Sequence, residues 1–302
     1  MTHPRQIVEC VPNFSEGRDL EKIEHIVAPF RNRLGVRLVN TEPDGDYNRV
    51  VVTVFGEPQA VADAMIDAVG AASEVIDLTR HVGEHSRMGA TDVIPFIPIR
   101  NMTTEDAVAL SKYTGKAINE RYGIPVFLYE DAATAPERRN LANIRRGQFE
   151  GMPEKLLLPE WAPDYGERRI HPTAGVTAVG ARFPLIAYNI DLGTDNVAIA
   201  NTIARAIRQS SGGFQYIKAG GVSLKEKGIV QVTMNITDYR KNPIYRVMET
   251  VRMEAKRYGV PVLGSEIVGL TPMEALIDSV EYYLGLHGFD ETKVIEHWLL
   301  DD

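Results

Sequence analysis

The order of apolar and amphipathic segments constrains the fold of this chain more than any other feature of its sequence. Strand-like runs and helical stretches with a period of about 3.6 residues follow each other as strand, helix, strand, strand, helix, strand. In the first half these elements fall at residues 6–11, 19–33, 36–42, 49–55, 58–75 and 92–99. The same order returns in the second half, where the strands fall at residues 183–190, 214–220, 228–236 and 261–269.

This doubled order predicts an α+β protein with two ferredoxin-like subdomains, each a β-α-β-β-α-β sheet with helices on one face. We place the N-terminal subdomain at residues 1–180 and the C-terminal subdomain at residues 181–302. The two halves show no residue-level identity, so the repeat is one of element order only. Clefts between subdomains favour small-molecule sites, and we expect such a cleft here.

Residues 103–182 connect the two predicted units. Their pattern indicates a helix at 103–122, a strand at 125–130 and a helix at 137–147. Residues 150–182 carry four prolines and four glycines. That composition predicts an irregular segment, which serves either as a linker or as a binding loop.

Capping signals mark three helix starts in the second half. Thr194 is a predicted N-cap, and Asn242 is a predicted N-cap with Pro243 at the first helical position. The sequence Thr271-Pro272-Met273-Glu274 predicts a capping box that opens a last helix.

Charge and composition exclude several classes of protein. The 302 residues include 33 Lys and Arg against 41 Asp and Glu, a net charge of −8. An acidic chain is poorly suited to nucleic acid or to an anionic membrane, so we expect neither as a partner. A single cysteine, Cys10, excludes an intrachain disulfide and Cys-rich metal sites. The first residues show no secretory signal and no apolar run is long enough to span a bilayer, so we expect a soluble cytoplasmic protein.

Residues 77–89 form the densest polar cluster of the sequence. Its chemically capable members are His81, Glu84, His85 and Arg87, with Gly83 and Gly89 beside them. His81 to His85 matches the zinc-protease pattern H-x-x-E-H, which binds a metal only when both histidines lie on one helical face. Gly83 interrupts the motif and the segment joins a helix to a strand, which predicts a loop and no metal. A solvated polar loop is the simple alternative, and a catalytic histidine is the interpretation that we favour.

Two further clusters follow predicted strands. Asn13 and Glu16 come after the first strand and serve either a ligand or the turn and cap of the next helix. Residues 42–49 indicate a hairpin turn, and Arg49, at the head of an apolar strand, could bind a carboxylate in bidentate fashion. Arg87 is a second candidate for this role, because the acidic chain must gather its positive charge locally.

A fourth cluster lies in the irregular segment. Residues 161–175 combine aromatic rings, prolines, two arginines and a histidine. This composition suits a flat anionic ligand, and a rigid linker is the alternative. No G-x-G-x-x-G sequence follows a strand, so a Rossmann dinucleotide site is not supported.

Eight segments of the chain resemble the glutamate formimidoyltransferases, which include the formiminotransferase domain of formimidoyltransferase-cyclodeaminases. They are VECVPNFSEGR near the start, RHVGEHSRMGATDVIPFIPIR (80–100), PVFLYEDAA (125–133), RRGQFEGMPEKL (145–156), WAPDYG (161–166), GVTAVGAR (175–182), AYNIDL (187–192) and VLGSEIVGL (262–270). The resemblance runs from about residue 6 to about residue 285.

The resemblance implies transfer of the formimino group from N-formimino-L-glutamate to N5 of tetrahydrofolate, in histidine breakdown. Tetrahydrofolate would be a co-substrate bound between two α/β subdomains, and the protein would be a homodimer. The chain ends without a cyclodeaminase domain, so we expect a separate cyclodeaminase to act on the product.

The same resemblance places the catalytic histidine at His85, in the G-E-H-x-R-M-G motif. Glu84 and Glu42 are the carboxylates that we expect to orient it, with Asp44 also close in sequence. The remaining expectations are substrate contacts from Asn13, Glu16, Arg49 and Arg87, and folate contacts from Gly166, Arg168, Arg169, His171, Pro172 and Gly175.

Three other functions stay open at this point. The same fold could use another donor, such as formiminoglycine or a formyl donor. It could bind folate without catalysis, or it could be a zinc hydrolase that uses the H-x-x-E-H sequence.

Overall fold

A computed structural model describes residues 5–299, apart from the side chains of Lys225 and Leu299. The chain divides into two units, Met1–Arg182 (unit 1) and Phe183–Asp302 (unit 2). No helix within residues 5–299 has both the length and the apolar character needed to cross a membrane.

The sheet of unit 1 has seven strands. The elements of this unit are β1 (Ile7–Cys10), β2 (Asn13–Phe14), α1 (Leu20–Val27), β3 (Val36–Asp44), β4 (Arg49–Gly56), α2 (Pro58–Val75), β5 (Thr91–Arg100), α3 (Thr104–Tyr122), β6 (Val126–Glu130), α4 (Leu141–Arg145), α5 (Gln148–Lys155) and β7 (Thr177–Ala181). β1 and β2 both lie between β4 and β5, so the first strand of the predicted unit is split at Val11-Pro12. β3 pairs with the outer side of β4, and β7 and β6 extend the sheet beyond β5.

α2 is the central helix of unit 1. Its small residues, including Ala64, Ala68 and Ala72, are fully buried and allow close packing against α1, α3 and the sheet. Pro58 occupies the start of the helix, where a missing N–H costs no hydrogen bond. The helix ends at Val75, and the loop that follows it carries the polar cluster 77–89.

Unit 2 is a four-stranded antiparallel sheet. Its elements are β8 (Ile186–Leu192), α6 (Val197–Ile207), β9 (Ile217–Leu224), β10 (Ile229–Ile236), α7 (Ile244–Lys256), β11 (Val262–Val268) and α8 (Met273–Leu284). The strand order is β11-β8-β10-β9, which is the ferredoxin-like order. Buried and half-buried residues alternate along β8, so one face of the sheet forms the core with α6 and α7. The predicted α+β fold with two ferredoxin-like units is confirmed.

The prediction of an irregular segment at 150–182 is wrong in two places. Thr177–Ala181 forms β7, which is buried and pairs in parallel with both β5 and β6. Its sequence TAVGA shows no alternation, because a strand covered on both faces needs none. Gln148–Lys155 forms α5 despite Pro153, and it buries Phe149 and Met152.

The three predicted caps of unit 2 also differ. Asn196, not Thr194, caps α6, and its side chain accepts from the Ala198 N–H. The side chain of Asn242 donates to the carbonyl of Gln215, which leaves α7 without a side-chain cap. The capping box at Thr271 does not form, since Glu274 instead accepts from the Tyr239 hydroxyl at 2.7 Å.

Candidate active site

Three connections of unit 1 meet at one place. They are the turn after β2, the β3–β4 hairpin and the loop 76–90 between α2 and β5. The Ser15 hydroxyl donates to the Gly89 carbonyl at 2.8 Å. The Asn48 side chain accepts from the Gly17 N–H at 3.0 Å and donates to the Val82 carbonyl at 2.9 Å. Asn48, in the hairpin, therefore holds the other two connections together.

Glycine permits this close approach of backbones. A Cβ at Gly83 would lie 2.4 Å from the Tyr47 carbonyl oxygen. A Cβ at Gly89 would lie 2.1 Å from the Val176 carbonyl oxygen. Both distances are far below van der Waals contact, so a side chain at either position would displace the loop that carries the histidines.

His81 is fixed through both of its ring nitrogens. Its Nε2 lies 2.9 Å from the Asn48 carbonyl oxygen, and its Nδ1 lies 3.3 Å from Nε of Arg87. Because a carbonyl only accepts and an arginine only donates, the ring carries its proton on Nε2. Burial lowers the pKa of His81, and the charge of nearby Arg87 acts in the same direction. His81 is therefore a neutral structural member of the loop.

His85 has a different environment. Its side chain is only 7% exposed, and its backbone N–H donates to the Tyr47 carbonyl at 3.2 Å. Its Nε2 has no hydrogen-bond partner among the described residues. That nitrogen lies 3.6 Å from Oδ2 of Asp92, a distance that suits an ion pair and is too long for a hydrogen bond.

Asp92 is fully buried near the start of β5. Its Oδ2 lies 2.5 Å from Nη2 and 2.8 Å from Nε of Arg145, and its Oδ1 accepts from the Met88 N–H at 2.8 Å. Burial acts to raise the pKa of the Asp92 carboxyl. Arg145, followed by His85 and the Met88 N–H, outweighs burial and holds that pKa below its ordinary value.

Arg87 is buried and already has a carboxylate partner. Its two terminal nitrogens donate to both oxygens of Glu150 at 2.8 and 2.6 Å. It also donates to the Gln148 side chain at 3.2 Å. The expected role of Arg87 as a substrate clamp would require Glu150 to move, and the side chain of Glu150 is 63% exposed.

Arg49, at the head of β4, carries no ion pair within residues 5–299. Its Nε is buried without a hydrogen-bond partner among these residues, and its guanidinium carbon lies 5.2 Å from the centre of the Tyr47 ring. A half-buried guanidinium with unused donors is suited to an anionic ligand.

The other expected substrate and catalytic residues are less central. Glu16 accepts from the backbone N–H groups of Arg18 and Asp19 at 2.9 and 3.0 Å, so it closes the turn before α1. Asn13 is half-buried on β2. Glu42 is exposed and accepts from the Asn40 side chain, and the exposed carboxylate of Glu84 has no polar partner among the described residues. The carboxylate beside His85 is therefore Asp92, and neither Glu84 nor Glu42.

The expected folate segment borders a cavity of about 440 Å³. Its lining combines the end of α3 with the loop 166–172: Asn119, Gly123, Gly166, Glu167, Arg169, Ile170, His171 and Pro172. Nδ1 of His171 accepts from the Ala174 N–H at 3.0 Å, which leaves Nε2 as the donor of the neutral ring. Burial lowers the pKa of His171.

Of the remaining members of this segment, Arg169 lines the cavity, whereas Arg168 and Gly175 do not. Arg168 is exposed, and Arg169 pairs with Glu167 at 2.8 Å. Gly175 has a φ of +69°, and a Cβ there would lie 2.2 Å from the Met88 carbonyl oxygen. Gly175 thus packs directly against the histidine loop and does not line the cavity.

The H-x-x-E-H sequence lies in a loop, as predicted. Within residues 5–299, no group of three or more histidine, cysteine, aspartate or glutamate side chains is arranged to hold a metal ion.

Comparison with models of protein families identifies the family of this chain. The model of the "Formiminotransferase domain, N-terminal subdomain" matches residues 7–182, and the model of the "Formiminotransferase domain" matches residues 187–296. The chain belongs to the formiminotransferase family.

Curated relatives agree with this family. The chain is similar to a protein of Streptococcus pyogenes serotype M1 named glutamate formimidoyltransferase, at 54% identity over 98% of this chain and 99% of the relative. A protein of Thermoplasma acidophilum with the same name is 46% identical over 96% of each chain. The formimidoyltransferase-cyclodeaminase of Dictyostelium discoideum is 42% identical over 92% of this chain and 53% of the relative.

The sequence interpretation missed three charged residues of this candidate site. They are Asp92, Arg145 and Glu150. Asp92 did leave a signal, because a carboxylate at the start of the apolar run DVIPFIPI is costly to bury without a partner. Arg145 and Glu150 left none, since their partners are 53 and 63 residues away in sequence.

Proposed function

We propose that this chain transfers the formimino group of N-formimino-L-glutamate to N5 of tetrahydrofolate, giving 5-formiminotetrahydrofolate and glutamate. Two relatives named glutamate formimidoyltransferase match it over nearly their full length. The observation that carries the proposal is the pair of loop histidines. His81 is bonded through both nitrogens, whereas Nε2 of His85 makes no hydrogen bond among the described residues.

The reaction needs a group that takes up a proton and then returns it. Bond formation between N5 and the amidine carbon releases a proton at N5, and cleavage of the carbon–nitrogen bond to glutamate requires one at the leaving nitrogen. Nε2 of His85 faces Asp92, so Nδ1 is the nitrogen available for this exchange. One neutral imidazole can act first as base and then as acid, and no net proton is consumed.

Binding of the glutamate donor needs a cation, because the substrate carries two carboxylates. Arg49 has unused guanidinium donors and is half-buried, which strengthens a bidentate contact. Arg87 is already paired with Glu150, and we assign it to the support of the loop. Asn13, on the neighbouring strand β2, is a further candidate contact.

We propose that tetrahydrofolate contacts the segment 166–175, with Gly166, His171 and Pro172 at the cavity. The cavity volume falls in the range of small-molecule sites. The Nε2–H of His171 supplies a donor, and exposed Arg168 and Arg169 supply charge for the acidic tail of the folate. From the family resemblance we also propose that the protein is cytoplasmic and forms a homodimer. Light scattering of the purified protein tests the dimer.

The experiment is a spectroscopic transfer assay with tetrahydrofolate and a panel of donors: formiminoglutamate, formiminoglycine and a formyl donor. Turnover with formiminoglutamate alone is expected. Preference for another donor would overturn the substrate assignment, and folate binding without turnover would indicate a binding protein. Activity should also survive dialysis against a chelator, and a stoichiometric metal whose removal abolishes turnover would contradict the mechanism.

A further inference from the structure

Asp92 is a buried charge with partners from two other segments of unit 1. Arg145 comes from α4, Met88 and His85 come from the loop after α2, and Asp92 itself is the second residue of β5. A carboxylate without solvent must be compensated by cations and N–H donors, or it takes up a proton. Here Arg145 provides the main compensation, at 2.5 Å.

Arg145 and His85 face the same oxygen of Asp92. Oδ1 accepts from the Met88 N–H, whereas Oδ2 faces both Arg145 at 2.5 Å and His85 at 3.6 Å. The stronger hold of Arg145 therefore limits the attraction that remains for the imidazole. His85 is the only one of the three partners whose charge can change near neutral pH.

The position of Arg145 is itself fixed. Nζ of Lys155 donates to the carbonyls of Ile144 at 2.7 Å and Arg146 at 3.2 Å, on either side of Arg145. The same ammonium lies 4.0 Å from the centre of the Trp161 ring. α4 and α5 thus form a support that carries Arg145 to a set place beside Asp92.

We propose that Asp92 and Arg145 are a positioning pair for His85, in which Asp92 holds the Nε2 side of the ring and Arg145 limits how strongly Asp92 stabilises the imidazolium. Only the part of this inference that concerns kcat rests on the proposed function. During turnover a proton added at Nδ1 makes the ring cationic, and its Nε2–H then points at Oδ2 of Asp92. No bond to the substrate is made by either member of the pair.

Other charged and titratable groups surround the same loop and contribute to the electrostatic environment of His85. They are His81 and Arg87 on the loop, Glu150 on α5 and Glu16 on the turn before α1. All four remain unchanged in the variants below, so a difference between variants reports on Asp92 and Arg145.

The test measures the titration midpoint of the His85 imidazole by NMR in the full-length protein, together with the pH profile of kcat. The resonance is assigned by its loss in His85→Gln. Asp92→Asn removes the anion and should move the midpoint to lower pH by about one pH unit or more. Arg145→Gln frees Asp92 for the imidazolium and should move the midpoint to higher pH. Arg145→Lys, which keeps the charge, should restore most of the wild-type profile.

The decisive result is that the His85 midpoint moves to lower pH in Asp92→Asn and to higher pH in Arg145→Gln. Arg31→Gln, which breaks an exposed ion pair with Glu24, is the matched control and should leave the midpoint unchanged. Equal midpoints in wild type and Arg145→Gln would overturn the inference, even if Asp92→Asn fails to fold. The inference would also be overturned if both variants lose kcat and the His85 midpoint moves in the same direction in both. A purely structural pair would give that result. If the wild type lacks formimino transfer, the proposed function fails, and the NMR titration still decides the pair.

Discussion

Units 1 and 2 share one core topology, and one of the connections in that core is much longer in unit 1 than in unit 2. In each unit the second helix returns to the fourth strand of the ferredoxin-like core. In unit 2 this connection is the short turn 257–261, from α7 to β11. In unit 1 it is the loop 76–90, from α2 to β5, which carries both histidines and Arg87. The candidate site of unit 1 thus lies on a connection, while the sheet and helices of the core have the same order in both units.

A second difference supports the first. The fourth strand ends the sheet of unit 2, whereas β5 of unit 1 is followed by α3 to β7. This addition extends the sheet by two parallel strands and places α4 and α5 against the long loop. Arg145 and Glu150, on these helices, make the ion pairs that hold Asp92 and Arg87. The contacts of Arg87 with Glu150 and with the Phe149 N–H therefore tie the long loop to α5.

The largest expected effect comes from removing the His85 ring. His85→Ala should lower kcat by about 10²–10⁴-fold, because general acid–base catalysis typically contributes that much. Tetrahydrofolate should still bind, and the pH profile of kcat should lose its acidic limb. Steady-state kinetics and a binding titration measure the two effects separately.

Replacing each of the two loop histidines in turn distinguishes a catalytic role from a structural role. His81→Ala should be milder in kcat and should lower stability, since both of its hydrogen bonds are internal. His287→Ala, at an exposed site in unit 2, is the control for unspecific effects. A His85→Ala enzyme with near-normal kcat would remove His85 from the mechanism and leave His81 or His171 as the next base to test.

The second prediction compares glycines of the two units. Gly89→Ala places a Cβ 2.1 Å from the Val176 carbonyl oxygen and 2.6 Å from that of Thr91. Overpacking of this kind costs about 1–3 kcal/mol, and more where only backbone can move. Gly264→Ala in β11 meets no atom within 4 Å and should change stability little. Urea unfolding of the two variants measures the contrast, and equal midpoints would refute the close packing of the loop.

The fold was largely predictable because its signals are local. Apolar periodicity located α2, and strand-like runs located β8 and β10, within a few residues of their observed bounds. β7 was missed because a short strand buried on both faces has no alternation to read. The caps of unit 2 were misplaced because the side chains of Asn242 and Glu274 have tertiary partners that compete with the helix ends.

The site was predictable in part, for a similar reason. The residues on the loop itself, His81, His85 and Arg87, stand close together in sequence. Their partners on α4 and α5 come together with them only through folding. Glu84 and Glu42 were favoured by sequence proximity to the motif, yet both are exposed, and the carboxylate beside His85 lies on β5.

The third prediction concerns the heads of equivalent strands. β4 begins with Arg49, whereas β10, its counterpart in unit 2, begins with Ile229. Arg49→Ala should raise KM for formiminoglutamate at least about tenfold. The binding free energy that this change corresponds to is smaller than the usual cost of truncating one member of a buried charge pair. Arg49→Lys should be intermediate, since it keeps the charge and loses the fork. Arg37→Ala, an exposed arginine on β3, is the matched control, and an unchanged KM in Arg49→Ala would show that the carboxylates bind elsewhere.

The smallest expected effect is a difference in acid sensitivity between the units. Burial lowers the pKa of both His81 and His171, and both lie in unit 1. The unfolded chain, with an ordinary value of about 6.5, then binds protons that the folded unit does not. The stability that these neutral rings contribute is fully present above about pH 6.5 and is lost as the pH falls through their folded values.

Hydrogen exchange of the whole protein at about pH 7.5 and about pH 5.5, corrected for the intrinsic rate, should therefore show a loss of protection in unit 1. His171→Asn keeps an acceptor for the Ala174 N–H and removes one titrating ring, so it should reduce that loss. Asp92 does not interfere, because its pKa is lowered from about 3.8: its contribution to stability is fully present above that pH and is lost only as the pH falls further. Equal pH dependence of His171→Asn and wild type would mean that His171 is not desolvated in solution. The contrast between the units would then rest on His81 alone.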